Sequence, residues 1–270
     1  MWKPAQSMRD FGQNRQPNNM KRFLFLAILL LILCGCSFTP NCREPQATSC
    51  TRVLFIGNSY TFVNDLPNTF AKLAKSGRHQ VEVGMSAQGG WRLVDHIQAP
   101  DTLNLLNSKK WDFVALQEQS QIPSVQQIRN QEMYPAARRL VQKIKDIGAT
   151  PVFFVTWAHR NGMPENGMNN YEDMQAQINS GYMSIAQELK VPVAPVGSAW
   201  LTVLKEHPEF SLWQEDGSHP TEQGTYLAAC VFYAVIFHES PSGLNYSAGM
   251  SRENAKILQT VASKTVLNIP

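Results

Sequence analysis

Arg52-Val53-Leu54-Phe55-Ile56-Gly57-Asn58-Ser59 is an apolar, β-branched run that stops abruptly at a glycine and releases a serine. Such a run reads as a buried strand that delivers Ser59 into a loop at its carboxyl end. Four more strand-like runs follow near 80–84, 112–117, 151–157 and 191–196. Helical patterns near 66–76, 91–108, 126–147 and 169–189 separate them, and two more follow near 221–238 and 251–265. This alternation predicts a parallel sheet with helices on both faces. The expected fold class is α/β: a three-layer α/β/α sandwich around a five-stranded, mainly parallel sheet. Asp65 is expected to cap the helix at 66–76, with Pro67 in its first turn. Sheets of this kind bind ligands at the carboxyl ends of their strands. Ser59, Gly90, Gln117 and the pair Thr156-Trp157 all fall at or just past such an end.

Far downstream, Asp216-Gly217-Ser218-His219 forms a polar turn, and Pro220 then opens a long apolar helix. A serine hydroxyl is a weak nucleophile until a base takes its proton, and imidazole is a good base near neutral pH. A carboxylate on the other ring nitrogen holds the tautomer and stabilises the imidazolium that forms. Asp216 is three residues from His219, close enough in a turn to reach its ring. The chain therefore offers a nucleophile, Ser59, a base, His219, and an orienter, Asp216.

These two stretches resemble the signature blocks of the SGNH (GDSL-like) hydrolase family. Gly57-Asn58-Ser59-Tyr60-Thr61 is similar to its first block, usually Gly-Asp-Ser, and Asp216-Gly217-Ser218-His219-Pro220 to its last, Asp-x-x-His-Pro. The resemblance spans roughly residues 51 to 240. It implies a three-layer, flavodoxin-like fold and a serine esterase that needs no metal or organic cofactor. It also implies an oxyanion hole built from the Ser59 N–H, a glycine N–H of the second block and a side-chain amide of the third. For the glycine, Gly90 is the first choice and Gly89 the alternative. The third block should read Gly-x-Asn-Asp, whereas the strand at 112–116 runs into Gln117-Glu118-Gln119-Ser120. A glutamine amide has the same donors as asparagine on one more methylene, so Gln117 is the expected third donor. Gln119 is its alternative. Gln-Glu-Gln is also reminiscent of the Gln-Gly-Glu motif of some carbohydrate esterases in the superfamily.

The first 36 residues are read as a leader. Met20-Lys21-Arg22 precedes eleven apolar residues, Phe23 to Leu33, a charged and then apolar pattern typical of a signal segment. Eleven are too few to span a bilayer as a helix. Leu33-Cys34-Gly35-Cys36 resembles the bacterial lipobox, which makes Cys36 the expected lipidation site and places the protein in the cell envelope, held to a membrane by a lipid anchor. Residues 37–50 are read as a linker and 51–270 as the hydrolase domain. Residues 1–36 hold five Lys/Arg and one Asp, a net +4, whereas the whole chain is +3, so the rest is about −1. The positive balance is thus a targeting feature, and no nucleic-acid partner is expected. Cys42 and Cys50 are placed to pair in an oxidising envelope, and Cys230 lies in an apolar run. No Cys/His spacing suggests a metal site.

Trp157, His159 and Trp213 flank the expected site and are assigned to the substrate pocket, the two indoles as surfaces for a sugar ring. Glu118 is read as a structural hydrogen-bonding group, with a second-acid role as the alternative. The stretch Gly162 to Met168 is a long loop, a pocket wall or lid. The expected activity is hydrolysis of a short acyl ester, an O-acetyl group on a glycan. A lysophospholipase-like or general short-chain esterase is the alternative. A non-catalytic glycan-binding lipoprotein is the rival from another class, and the missing third-block asparagine speaks for it.

Overall fold

Five parallel strands build the sheet: β1 (Cys50–Gly57), β2 (Gln80–Ala87), β3 (Phe113–Leu116), β4 (Thr150–Phe154) and β5 (Val193–Ala194). The computed structural model describes Cys42 and residues 50–268. The expected leader with Cys36, and most of the expected linker, lie outside the described residues. The strand order is β2-β1-β3-β4-β5. Val53, Leu54, Phe55 and Ile56 of β1 are fully buried, because neighbours flank the strand and helices cover both its faces. That is why the strand reads as a continuous apolar run and not as an alternation.

Among the described residues, the helices that pack around the sheet include α1 (Ser59–Phe62), α2 (Leu66–Ser76), α3 (Leu93–His96), α4 (Pro100–Asn107), α5 (Tyr134–Asp146), α6 (Tyr171–Leu189), α7 (Val196–Glu206), α8 (Glu222–Phe237) and α9 (Arg252–Leu267). Helices α2, α7, α8 and α9 pack together in one layer, and α3, α5 and α6 in the other. Side chains alternate across a strand, so adjacent residues serve opposite layers. Phe55 and Phe154 meet Phe232 of α8 edge-on at 5.1 Å, whereas Phe153 turns to Tyr182 of α6. Asp65 caps α2, its Oδ1 accepting the Asn68 N–H at 3.3 Å.

Several boundaries differ from expectation. The helix expected over 91–108 is two, α3 and α4, because Pro100 has no N–H to continue the first and is well suited to start the second. The segment 126–147 contains a π-helical turn, Arg129–Met133, just before Pro135, which cannot donate to the carbonyl four residues back. β5 shrinks to two residues between Pro192 and Pro195, and α7 follows it unforeseen. Val196, Ala199, Trp200 and Val203 carry the i, i+3, i+4, i+7 spacing that marks this helix. Cys42 and Cys50 are joined by a disulfide, and Cys230 is free and buried.

In this strand order the chain leaves β1 and β3 in opposite directions across the sheet. A crevice opens at such a switch point, outside the carboxyl ends of the strands. Ser59 leaves β1 there, and Gln117-Glu118-Gln119 leave β3.

Candidate active site

Ser59 is the first residue of α1, placed there by an asparagine cap. Asn58 Oδ1 accepts the Tyr60 N–H at 3.2 Å, while the Ser59 N–H has no partner among the described residues. The Ser59 hydroxyl lies 2.9 Å from His219 Nε2. His219 Nδ1 lies 2.5 Å from Asp216 Oδ2. The carboxylate therefore selects the Nδ1–H tautomer and leaves the Nε2 lone pair toward Ser59. The other Asp216 oxygen accepts the N–H groups of Ser218 and His219, each at 2.9 Å. Partial burial works to raise the Asp216 pKa, but these three bonds prevail and hold it at about 2. Asp216 is thus ionised across the working range of an imidazole base.

The turn that carries His219 is pinned from outside. The Arg160 N–H donates to the Gly217 carbonyl at 2.8 Å, and Trp157 Nε1 donates to the Ser218 carbonyl at 2.9 Å. Gly217 has φ +67°, a left-handed conformation that glycine adopts without strain. Tyr60, next to the nucleophile, stacks on Trp157 at 4.5 Å and shares a 2.7 Å hydrogen bond with Ser218. Burial raises the Tyr60 pKa to about 12, so it is a neutral hydroxyl there.

Gln117 is not at the surface of this site. It is 1% exposed, and its amide is fully engaged. Oε1 accepts the Asn58 N–H at 2.8 Å and the Thr61 hydroxyl at 2.9 Å. Nε2 donates to Asn58 Oδ1 at 2.9 Å and to the Glu118 carbonyl at 2.6 Å. An amide nitrogen has two hydrogens, so none remains for a substrate oxygen. Gln117 holds the Asn58-Ser59 loop from below, against Gly57, where any Cβ would collide with Gln117 Oε1 and Thr61 Oγ1. The expected third donor is corrected accordingly. Gln119 does face the cleft, with its Oε1 held by the N–H groups of Gln121 and Ile122 at 2.8 and 3.3 Å. Its amide nitrogen has one long contact, 3.5 Å to Ser120 Oγ.

Gly89 and Gly90 form a turn closed by the Trp91 N–H on the Gln88 carbonyl at 3.1 Å, with Gly90 at φ +74°. Neither glycine N–H has a partner among the described residues, and both residues line the cleft. Asn58 Nδ2 donates to the Trp91 carbonyl at 2.9 Å, which ties this turn to the nucleophile loop.

The cleft holds about 450 Å³. Ser59, His219 and Tyr60 line it together with Asn58, Gly89, Gly90, Gln119, Ser120, Gln121, His159 and Ser218. His159 thus lines the cleft. Trp157 and Trp213 do not. Trp157 is wholly buried, stacked between Tyr60 and Trp200, and Trp213 is 7% exposed with its Nε1 on the Ala158 carbonyl. Both indoles are the floor beneath the site, so neither offers a face to a sugar. The bulk of the Gly162–Met168 loop is likewise absent from the lining.

Glu118 is buried, with Oε1 accepting the N–H groups of Gln119 at 2.7 Å and Leu93 at 3.1 Å. Burial raises its pKa to about 8, against those two bonds. It does not itself line the cleft and bridges the loops after β2 and β3. His96 escaped sequence reasoning, as a lone histidine in an apolar pattern. Its Nε2 donates to the Gly57 carbonyl at 2.8 Å and its Nδ1 accepts from Thr102 at 3.0 Å, so it buttresses the end of β1. Burial lowers its pKa and keeps it neutral. Tyr60, Ser120 and Ser218 were also missed as site residues, since hydroxyls beside motif positions carry no signal of their own.

The geometry meets known structures at this point. A protein assigned as an SGNH hydrolase from Slackia heliotrinireducens is 28% identical, with a TM-score of 0.58 over 69% of this chain and 99% of that one. The fold is that of the SGNH/GDSL-like hydrolases. The same hydrolase fold is found in a DUF4886 family protein from Bacteroides uniformis, at 20% identity and TM-score 0.69 over 81% and 95% of the two chains. An acetyl xylan esterase shares it at 16% identity and TM-score 0.56, over 68% of this chain and 99% of that one. No family model matches the sequence, and no curated protein does.

Proposed function

We propose that this hydrolase is a serine esterase that removes short acyl groups from alcohols by a Ser-His-Asp mechanism. The observation that carries the reading is the unbroken chain Asp216–His219–Ser59 opening on a cleft with unpartnered backbone N–H groups. Ser59 Oγ attacks the ester carbonyl while His219 Nε2 takes its proton, and Asp216 stabilises the imidazolium. The N–H groups of Ser59 and Gly90, with the Gln119 amide, receive the oxyanion; Gly89 is the alternative to Gly90. His219 then returns the proton to the departing alcohol oxygen, leaving an acyl group on Ser59. A water, deprotonated by the same imidazole, releases the acid.

An O-acetyl group on a glycan is the substrate that fits best. A cleft of this size with hydroxyl, amide and imidazole side chains in its lining suits a small acyl group and a hydroxylated alcohol, and the acetyl xylan esterase among the similar structures supports the choice. The lipobox-like Cys36 adds an envelope location and a lipid anchor to the proposal. A fluorophosphonate probe tests the core of it: wild type should be labelled at Ser59. Ser59→Ala should keep the fold and lose hydrolysis of p-nitrophenyl acetate, typically by more than about 10³-fold. Residual activity above roughly a tenth of wild type would sink the triad.

A further inference from the structure

One wall of the cleft is a run of groups that the ester chemistry does not use. The Ser218 and Tyr60 hydroxyls are 2.7 Å apart, and Ser120 also lies near the Tyr60 side chain. Ser120 Oγ in turn lies 3.1 Å from His159 Nε2. All four side chains line the cleft beside Ser59 and His219. His159 Nδ1 has no partner among the described residues. Each group both donates and accepts, because a hydroxyl does so by nature and a neutral imidazole has one nitrogen of each kind. The His159 ring stays neutral because burial lowers its pKa, against the pull of Asp216 and Glu165 and with help from His219.

Sugar and glycerol hydroxyls have the same double character. A wall of paired donors and acceptors complements vicinal hydroxyls and leaves a hydrocarbon chain with unpaired polar groups opposite it. We infer that the Ser218–Tyr60–Ser120–His159 strip is the alcohol subsite, and that it selects leaving alcohols that carry free vicinal hydroxyls, a sugar or a glycerol. The inference rests on the esterase reading for its chemistry, but the subsite itself is a binding property. The strip also accounts for the indoles being buried: polar edges read the alcohol, and the Tyr60–Trp157–Trp200 stack beneath keeps Tyr60 in place.

The experiment compares two esters of different alcohols. 6-O-acetylglucose carries free hydroxyls, whereas the leaving group of p-nitrophenyl acetate has none. His159→Phe should lower kcat/KM for the sugar ester about tenfold more than for p-nitrophenyl acetate, with the difference appearing mainly in KM. His159→Gln, which restores a donor and an acceptor, should recover most of the loss, and Ser120→Ala should behave like His159→Phe. An equal fall on both esters, or no fall on either, overturns the subsite. Titration of 6-O-acetylglucose and of glycerol monoacetate into Ser59→Ala reads the strip without turnover. Binding that weakens about tenfold on adding His159→Phe supports it even where wild type hydrolyses no ester, and the tighter of the two ligands names the alcohol. No binding of either, beside an active wild type on p-nitrophenyl acetate, overturns the subsite and leaves the esterase standing.

Discussion

Two glutamines two residues apart have opposite fates, and a pair of substitutions separates them. Gln117 has its whole hydrogen-bonding capacity committed in the interior. Gln117→Ala should therefore destabilise the protein, by about 2–4 kcal/mol, since it strands buried partners. Gln119→Ala should leave thermal stability nearly unchanged and lower kcat about 10²-fold with little effect on KM. Melting curves and steady-state kinetics on both variants check this. An activity loss without a stability loss in Gln117→Ala would restore it as the oxyanion donor. Glu118 offers a test by pH. Its pKa is raised from 4.5 to about 8 in the fold by burial, so between those values the folded chain holds a proton that the unfolded chain releases. Stability from this group is present below the unfolded value and falls as pH rises through the window, by up to ~5 kcal/mol. Glu118→Gln removes the titration. The melting temperature of Glu118→Gln relative to wild type should rise steadily from pH 5 to pH 8, and a pH-independent difference would show that Glu118 is ionised in the fold.

At the scale of elements, the site depends on how closely helices approach the sheet. Helix α8 is buried almost all round, unlike a surface helix with one apolar stripe. Its first turn comes up against Trp200 and the Leu212 carbonyl because residue 224 is glycine. Thr221 caps that turn, its hydroxyl accepting the Gly224 N–H at 3.3 Å, immediately after the His219-Pro220 pair. Gly224→Ala should overpack this contact and cost about 1–3 kcal/mol, a fall of several degrees in Tm for a domain of this size. A melting temperature equal to wild type would show that the helix can shift freely at this end. The strands impose less: β5 has only two residues, yet α8 still packs against it and α7 against α8, since helix packing and not strand length closes the layer.

For the whole molecule, the open question is where it is held. Residues 50–268 form the folded body, and among them no helix is long and apolar enough to cross a membrane. The proposed anchor rests on Cys36 alone. Membrane fractionation of the native gene product should find it firmly bound, because each buried CH₂ of an acyl chain contributes about 0.8 kcal/mol. Cys36→Ser should appear unprocessed or soluble. Wild-type fractionation and migration of that variant would remove the lipobox and, with it, much of the support for a glycan in the envelope.

The parallel sheet by alternation, the strand into Ser59 and the Asp216–His219 turn were legible in the sequence, because each is written in local pattern and local spacing. The pair Asp216 and His219 needs only a three-residue turn to meet. Their meeting with Ser59, 160 positions away, followed from the order of motifs and a known family, and the fold supplies the 2.9 Å contact. The split of the helix at Pro100 and the helix α7 were also present locally, as a proline and an apolar spacing. What only the tertiary structure decided is which of several similar side chains faces the cleft. Gln117 and Gln119 lie on opposite sides of one backbone turn, and Trp157 and Trp213 sit beneath the floor while His159 reaches the wall. Amino-acid type sets the chemistry a residue can perform, but burial and the partners that engage its donors set whether it performs it. Those depend on packing between segments far apart in the chain, as Gln117 and Asn58 are at 59 positions, which no local window of sequence contains.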